Sequence, residues 1–284
     1  MRLLPESSMD QILSGSFAPV RFQLWPRDSF RVVDWNIDRG TQLQGILEFI
    51  KEAKADVILL QEVDMNAKRT RRLDIAREIA RALQLNFVFG TEFQELTQGS
   101  QQSPAYQGQA TLSPWAIKDA RLIRFQRQTN FWRPHWYLPH IEPFQERLGG
   151  RLALVADIEL GGKTMTTYNL HLESKEDDIL RVSQLNEVLL DAGSASKNSA
   201  TLIAGDLNLD ATKGEAATAL ERAGFRDGVG LSDVRTRPGR GLFDQGRSID
   251  WIFLSGGLKG RNGRIHRNVP ASDHFPVSSE VSFR

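Results

Sequence analysis

Several short apolar runs in this 284-residue chain end in polar residues of the kinds that hold metals or phosphates, and this constrains the fold more than any other feature. Val32-Val33-Asp34-Trp35-Asn36-Ile37-Asp38 is one such run, Val57-Ile58-Leu59-Leu60-Gln61-Glu62-Val63 a second, and Leu202-Ile203-Ala204-Gly205-Asp206-Leu207-Asn208 a third. Ser248-Ile249-Asp250 enters Trp251–Leu254 from the opposite direction, Ser272-Asp273-His274 precedes the final alternating run, and His171 and Glu173 lie at the end of another. Short apolar runs bounded by polar or turn residues read as buried strands. Strand ends gather at the rim of a sheet, so polar residues far apart in the chain can meet there. Each segment alone has a plainer reading: Glu62 as a solvated strand end, Gly205–Asn208 as an Asx turn, His171 as a core histidine, Asn36 as a cap, Ser272–His274 as a locally bonded loop. Their recurrence at the ends of separate strands argues for one shared site.

Between these runs the period changes. Leu43, Ile46, Leu47 and Ile50 recur at helical spacing, as do Leu73, Ala76, Ile79, Ala80 and Leu83, and 179–190 reads as a third helix. Phe30–Trp35, Val57–Leu60, Phe87–Phe89, Thr201–Ala204, Trp251–Leu254 and Val277–Phe283 read as strands, and Arg151–Leu160 and Lys163–Leu172 flank a Gly161-Gly162 hairpin turn. Strands alternating with helices, plus a central antiparallel hairpin, predict an α/β fold with mixed sheets. No Pro/Gly/Ser linker divides the middle, so residues 29–284 read as one domain and residues 1–28 as an N-terminal extension with one helical turn near Ile12 and Leu13. The longest irregular stretch is Trp132–Gly150.

Composition removes several chemistries. With no cysteine, disulfides, Cys-ligated zinc and a thiol nucleophile are excluded. No G-x-S-x-G elbow supports a serine hydrolase. His135 and His140 are separated by Pro139, a poor basis for two zinc ligands on one helix face. The net charge of +1 gives no global argument for a polyanion partner. No signal-peptide apolar region follows Met1, and no run approaches the ~20 apolar residues of a membrane span, so the expected location is the cytoplasm, and no obligate protein partner is evident.

The residue types suit phosphoester hydrolysis, which needs neutralised phosphoryl oxygens, an activated water and a stabilised leaving oxygen. Mg²⁺ takes few protein ligands, all hard oxygens; Glu62, with Asn36 or Asp38 nearby, can hold it. Asp206 can orient or deprotonate water, Asn208 can bond the phosphate, and Asp250 can fix the tautomer of His274.

The ordered series WNID at 35–38, LQEVD at 60–64, HLES at 171–174, GDLN at 205–208, SIDWIF at 248–253 and SDHFP at 272–276 resembles that of the endonuclease/exonuclease/phosphatase superfamily, over roughly residues 30 to 284. The resemblance implies a DNase-I-like four-layer sandwich: two mixed β-sheets flanked by helices. It implies Mg²⁺ or Mn²⁺ held through Glu62, with Asn36, Asp38 and Asp273 near the metal. It implies Asp206 and Asn208 at the water and phosphate, Asp250–His274 as a coupled pair, and His171 on the phosphate. Within the superfamily the set is similar to phosphodiesterases that remove tyrosyl adducts from 5′ DNA ends. Asp34 stands where those enzymes carry Thr, and in the segment Gly108–Ser113 Gln109 replaces the usual Asn, with Pro114 for the usual Arg.

Two basic stretches bear on substrate. Lys68–Arg81 carries Arg69, Arg71 and Arg72 close after Glu62, either as a phosphate-binding arm or as the polar face of a helix. Arg121–Arg151 mixes Arg151 and other arginines with Trp132 and Trp136, a composition suited to stacking on single-stranded bases and equally to covering an apolar core. The expected function is Mg²⁺-dependent hydrolysis of a phosphodiester, with DNA or a DNA-end adduct as the leading substrate. The alternatives are a small-molecule or lipid head-group phosphoester and, third, an inactive binding module.

Overall fold

A computed structural model describes residues 9–19, 29–135, 141, 146–194, 200–231, 235–239 and 244–283. Trp136 lies outside the described residues. One sheet contains β1 (Ile12–Ser16), β4 (Asn86–Glu95), β5 (Ala105–Ser113), β3 (Val57–Met65), β2 (Phe30–Arg39), β14 (Val277–Phe283) and β13 (Leu258–Ile265) in that spatial order, with β7 (Arg147–Gly149) also on β4. The second sheet runs β11 (Arg226–Asp227), β12 (Asp250–Ser255), β10 (Ala200–Asp206), β9 (Lys163–His171), β8 (Leu152–Leu160) and β6 (Ile117–Arg124). Both are mixed: β2 and β3 pair in parallel, as do β9 and β10, and the other named pairs are antiparallel.

The layers follow from period-two alternation along the strands. Val33, Trp35 and Ile37 of β2 and Ile58 and Leu60 of β3 pack against α1 (Leu43–Ala53) and α2 (Ile75–Leu83). Tyr168, Leu170, Ile203, Trp251 and Phe253 pack against α3 (Asp178–Ser194) and α4 (Gly214–Arg222). Val32, Val57, Leu59, Met165, Leu202, Ala204, Ile252 and Leu254 meet between the sheets. The result is helices, sheet, sheet, helices, the four-layer sandwich expected from the resemblance.

Along this inner face the residues turn from apolar to polar in step. On β2 the series is Val32, Asp34, Asn36; on β3 Val57, Leu59, Gln61; on β9 Met165, Thr167, Asn169, His171; on β10 Leu202, Ala204, Asp206; on β12 Leu254, Ile252, Asp250. The register then sets Asp206 opposite His171 on one side and Asp250 on the other. Below that row Gln61 Nε2 donates to Asp34 Oδ1 at 2.8 Å and to Asn169 Oδ1 at 2.8 Å, while Asn169 Nδ2 donates to the Leu60 and Ala110 carbonyls at 3.1 and 3.0 Å. Buried polar groups are tolerated when so paired.

The structure corrects the N-terminal reading. Ile12 and Leu13 form no helical turn; they belong to β1, whose residues 12–16 pair antiparallel with residues 86–90 of β4. β5, β6, β13 and α4 were not read as elements from the sequence.

Gly205 lets β9 and β10 approach. A Cβ there would lie 2.0 Å from the Leu170 carbonyl oxygen, and its φ of +150° is one that other residues rarely adopt. Gly205→Ala is expected to lower unfolding free energy by at least ~1–3 kcal/mol, the usual cost of overpacking. A urea midpoint equal to that of the wild type would refute this close-approach requirement.

Candidate active site

Asp206 is where the polar rows converge. Its Oδ2 accepts from Asn36 Nδ2 at 3.2 Å and lies 3.6 Å from His171 Nε2 and 3.8 Å from His274 Nε2. Its Oδ1 accepts from the Asn208 amide at 3.0 Å. Asn208, at φ 54°, donates through Nδ2 to the Leu172 carbonyl at 3.1 Å, so the GDLN turn is tied to the HLES strand end. Asp206, His171, Asn208, Asp250, His274 and Asn36 are all buried.

Asp250 takes His274 Nδ1 at 2.9 Å on each carboxylate oxygen, and this leaves Nε2 directed at Asp206. The loop carrying His274 is pinned to β2: Trp35 Nε1 donates to the His274 carbonyl at 2.9 Å, and Ser272 Oγ donates to the Asn36 carbonyl at 2.6 Å. Burial pushes the His274 pKa down, but Asp250 and Asp206 outweigh it and raise it to about 10. Asp206, Asp250 and His274 bring one potential ligand atom each within 4.8 Å of one another. With Nδ1 committed to Asp250, Nε2 is the atom His274 offers to this cluster, whether to a proton or to a cation.

His171 is set by a different partner. Arg151 Nη1 lies 2.8 Å from Nδ1, and a guanidinium only donates, so a neutral His171 would accept there and carry its ring proton on Nε2, which faces Asp206. Arg151 is 2 % exposed, with Glu92 Oε2 at 3.4 Å. Gln109, in place of the family's usual Asn, supports that carboxylate: its Nε2 donates to Glu92 Oε1 at 3.2 Å and to the Leu152 carbonyl at 2.9 Å, joining the two sheets.

Glu62 and Asp38 sit where β2 and β3 lose register, between Asn36 and Arg39 and between Leu60 and Val63. The φ values of Asp38, Arg39 and Glu62 are 42°, 69° and 51°. Such bulges re-aim side chains, and left-handed non-glycine residues gather at functional sites. Glu62 is half-buried. Burial alone would raise its pKa, yet His171, Arg39, Arg147 and Arg151 bring it down to about 2. The pKa of Asp38 is raised, by burial first and then by Glu62 and Asp273, against the pull of Arg39, to which it is also ion-paired. Hard oxygens of this kind are what a divalent cation takes: Glu62, Asp38 and Asp273 could offer carboxylates, and Asn36 an amide oxygen that here accepts from the Asp38 amide at 3.2 Å.

The model of the endonuclease/exonuclease/phosphatase family matches residues 35–274. The chain belongs to this family. Its fold resembles an endonuclease/exonuclease/phosphatase structure from Beutenbergia cavernae DSM 12333 (TM-score 0.64, 18 % identity, 90 % of this chain and 72 % of that one). It also resembles a family member from Leptotrichia buccalis C-1013-b (TM-score 0.64, 17 % identity, 89 % and 100 %) and a humanised D. rerio TDP2 (TM-score 0.61, 17 % identity, 90 % and 100 %). Comparison with curated proteins gives no match. As a family member the chain is assigned as a phosphoesterase-type hydrolase. No helix among the described residues is long and apolar enough to cross a membrane.

The other sequence candidates are placed differently. Arg69 makes a two-pronged pair with Asp64, at 2.7 Å to each oxygen, and reaches Glu95 at 3.2 Å, so it is committed inside the fold. Arg71 and Arg72 are exposed; Arg71 and Arg69 line a cavity of about 540 Å³ between residues 40–47 and 69–75. Trp132 is half-buried, with Nε1 donating to Glu173 Oε1 at 3.2 Å. Sequence reading missed Thr236 and Glu92. Thr236 Oγ1 donates to Asp250 Oδ2 and accepts from the amides of Ile249 and Asp250 at 3.2 and 3.1 Å. No period or motif marked either residue.

The fold favours charged His274, so in metal-free protein its contribution to stability is complete below the ordinary histidine pKa of ~6.5 and is lost as pH rises through about 10. Asp250→Asn should move the His274 ring titration, followed by NMR in EDTA, down towards ~6.5. An unmoved titration would remove Asp250 as the principal cause.

Proposed function

We propose that this chain hydrolyses a phosphodiester bond with a divalent cation, Mg²⁺ being the expected ion and Mn²⁺ its substitute. The observation that carries the reading is the meeting of Asn36, His171 and His274 on a single oxygen of Asp206, beside a Glu62 held ionised. Glu62, with Asn36, Asp38 and Asp273, would hold the ion, which when bound supplies Lewis-acid stabilisation of phosphoryl charge. Asp206 orients the attacking water and takes its proton. Asn36 and Asn208 fix the Asp206 carboxylate. His171 presents Nε2–H, and His274 carries a proton backed by Asp250; both are donors for phosphate oxygens as charge accumulates.

For substrate, the leading reading is DNA or a DNA-end adduct, supported by the motif set and by the likeness in fold to TDP2 structures. One observation favours the alternative of a small-molecule or lipid head-group phosphoester. Many arginines of the two basic stretches are paired within the protein: Arg69 with Asp64 and Glu95, Arg147 with Glu95, Arg151 with Glu92, Arg121 with Asp191, and Arg124 with Asp10. Paired cations offer little counterion release to a long polyanion.

Purified protein should cleave labelled single- or double-stranded DNA in Mg²⁺ and not in EDTA, with Asp206→Asn slower by ~10²–10⁴-fold. Glu62→Gln should lower the rate and raise the Mg²⁺ concentration needed for half-maximal activity. Greater turnover of head-group phosphodiesters than of DNA would select the alternative. Activity that survives EDTA would end the divalent-cation reading, and absence of activity on every substrate would end the hydrolase reading.

A further inference from the structure

The loop between β6 and β7 and the turn after β9 build a feature that the mechanism leaves unused. Phe131 is 55 % exposed, the aromatic member of the exposed large apolar side chains among the described residues. Its ring stands edge-on to Trp132, with centroids 5.0 Å apart and planes at 81°. Lys175 Nζ lies 5.0 Å from the Phe131 ring centre and 5.7 Å from that of Trp132. One aromatic face and one ammonium group thus share an open lip.

The lip is rigidly joined to the reacting centre. Trp132 is held by its bond to Glu173 and by the guanidinium groups of Arg147 and Arg151, 4.9 and 5.5 Å from its ring centre, with Phe93 packed alongside at 5.8 Å. Arg151 bonds His171 Nδ1 and also donates to Ser174 Oγ at 3.3 Å, in the residue before Lys175. The Phe131 amide is tied to Thr129 Oγ1 at 3.1 Å, and that hydroxyl donates to Glu176 Oε1 at 2.9 Å. Trp132 is therefore the support, and Phe131 with Lys175 is the surface offered to a ligand.

We infer that Phe131 and Lys175 form a stacking subsite for a planar aromatic group, a base or an aryl ester, carried by the substrate next to its phosphate. The inference rests on the phosphoesterase reading and adds the chemical class of the group beyond the phosphate. An aromatic face accepts any π-face without selecting its edges, and a neighbouring cation suits a ring attached to an anion. A ring held in place before binding loses little freedom when it stacks.

Calorimetric titration of the full chain in Mg²⁺ with phenylphosphonate, thymidine 5′-phosphonate and methylphosphonate tests this, since none of the three has an ester bond to hydrolyse. At least one ring-bearing probe should bind about tenfold tighter than methylphosphonate, within the range of one stacked ring. Phe131→Ala should abolish that difference and leave methylphosphonate affinity unchanged; Phe131→Tyr should retain it. Preference for phenylphosphonate would assign the subsite to an aryl leaving group, and preference for the thymidine probe to a base. Equal binding of all three by wild type, or an equal effect of Phe131→Ala on all three, would overturn the proposal. Ring preference without hydrolysis of any diester would sink the hydrolase reading alone, and hydrolysis without ring preference would sink the subsite alone.

Discussion

The inner faces of the two sheets carry both the core and the chemistry, and what decides between them is position along each strand. Near one end Val32, Leu59, Met165, Leu202 and Leu254 exclude water; two to four residues further on the same faces carry Asp34, Gln61, Asn169, Asp206 and Asp250. A polar side chain buried there is costly unless another strand supplies its partner. The partners come from across the interface: Gln61 of one sheet binds Asn169 of the other, and Asn36 binds Asp206. Separating or shifting the sheets would break both of these pairs. Packing of the sheets and alignment of the candidate site are thus one requirement, and the close approach at Gly205 sets β9 beside β10 within it.

Charge is arranged in alternation around this cleft. Glu62 is kept ionised by His171 and three arginines, two of which are in turn held by Glu92 and Glu95. On the opposite flank His274 is kept protonated by Asp250 and Asp206. Beneath them burial, followed by the nearness of Asp250, raises the pKa of Asp34 well above the ordinary carboxyl range.

The strands that frame the site were legible because their apolar runs were long and their polar ends distinctive. The strands holding Asn36, Glu62, Asp206 and Asp250 were all read from the sequence, since period and residue type agreed, although β2 and β3 run on past Asn36 and Glu62 to Arg39 and Met65. β1 was not: Ile12 and Leu13 are followed by Ser-Gly-Ser, a weak strand signal, and their pairing with β4 is a long-range event that local pattern does not encode. Thr236 and Glu92 were invisible for a related reason. Each acts by supporting another side chain, and the support exists only after distant strands have met. The arginines misled by composition, because a count of cations does not reveal that Asp64, Glu92 and Glu95 lie buried against them.

The larger sheet ends at β1, contributed by residues that precede the family match at residue 35. Those five residues occupy the backbone donors and acceptors of β4 from Asn86 to Gly90. A chain begun at the family boundary would lose them, along with part of β2. It would present an unpaired ladder beside Phe87 and Phe89, ready to recruit a strand from another molecule. The segment that precedes the family match is therefore the one that covers this stretch of β4.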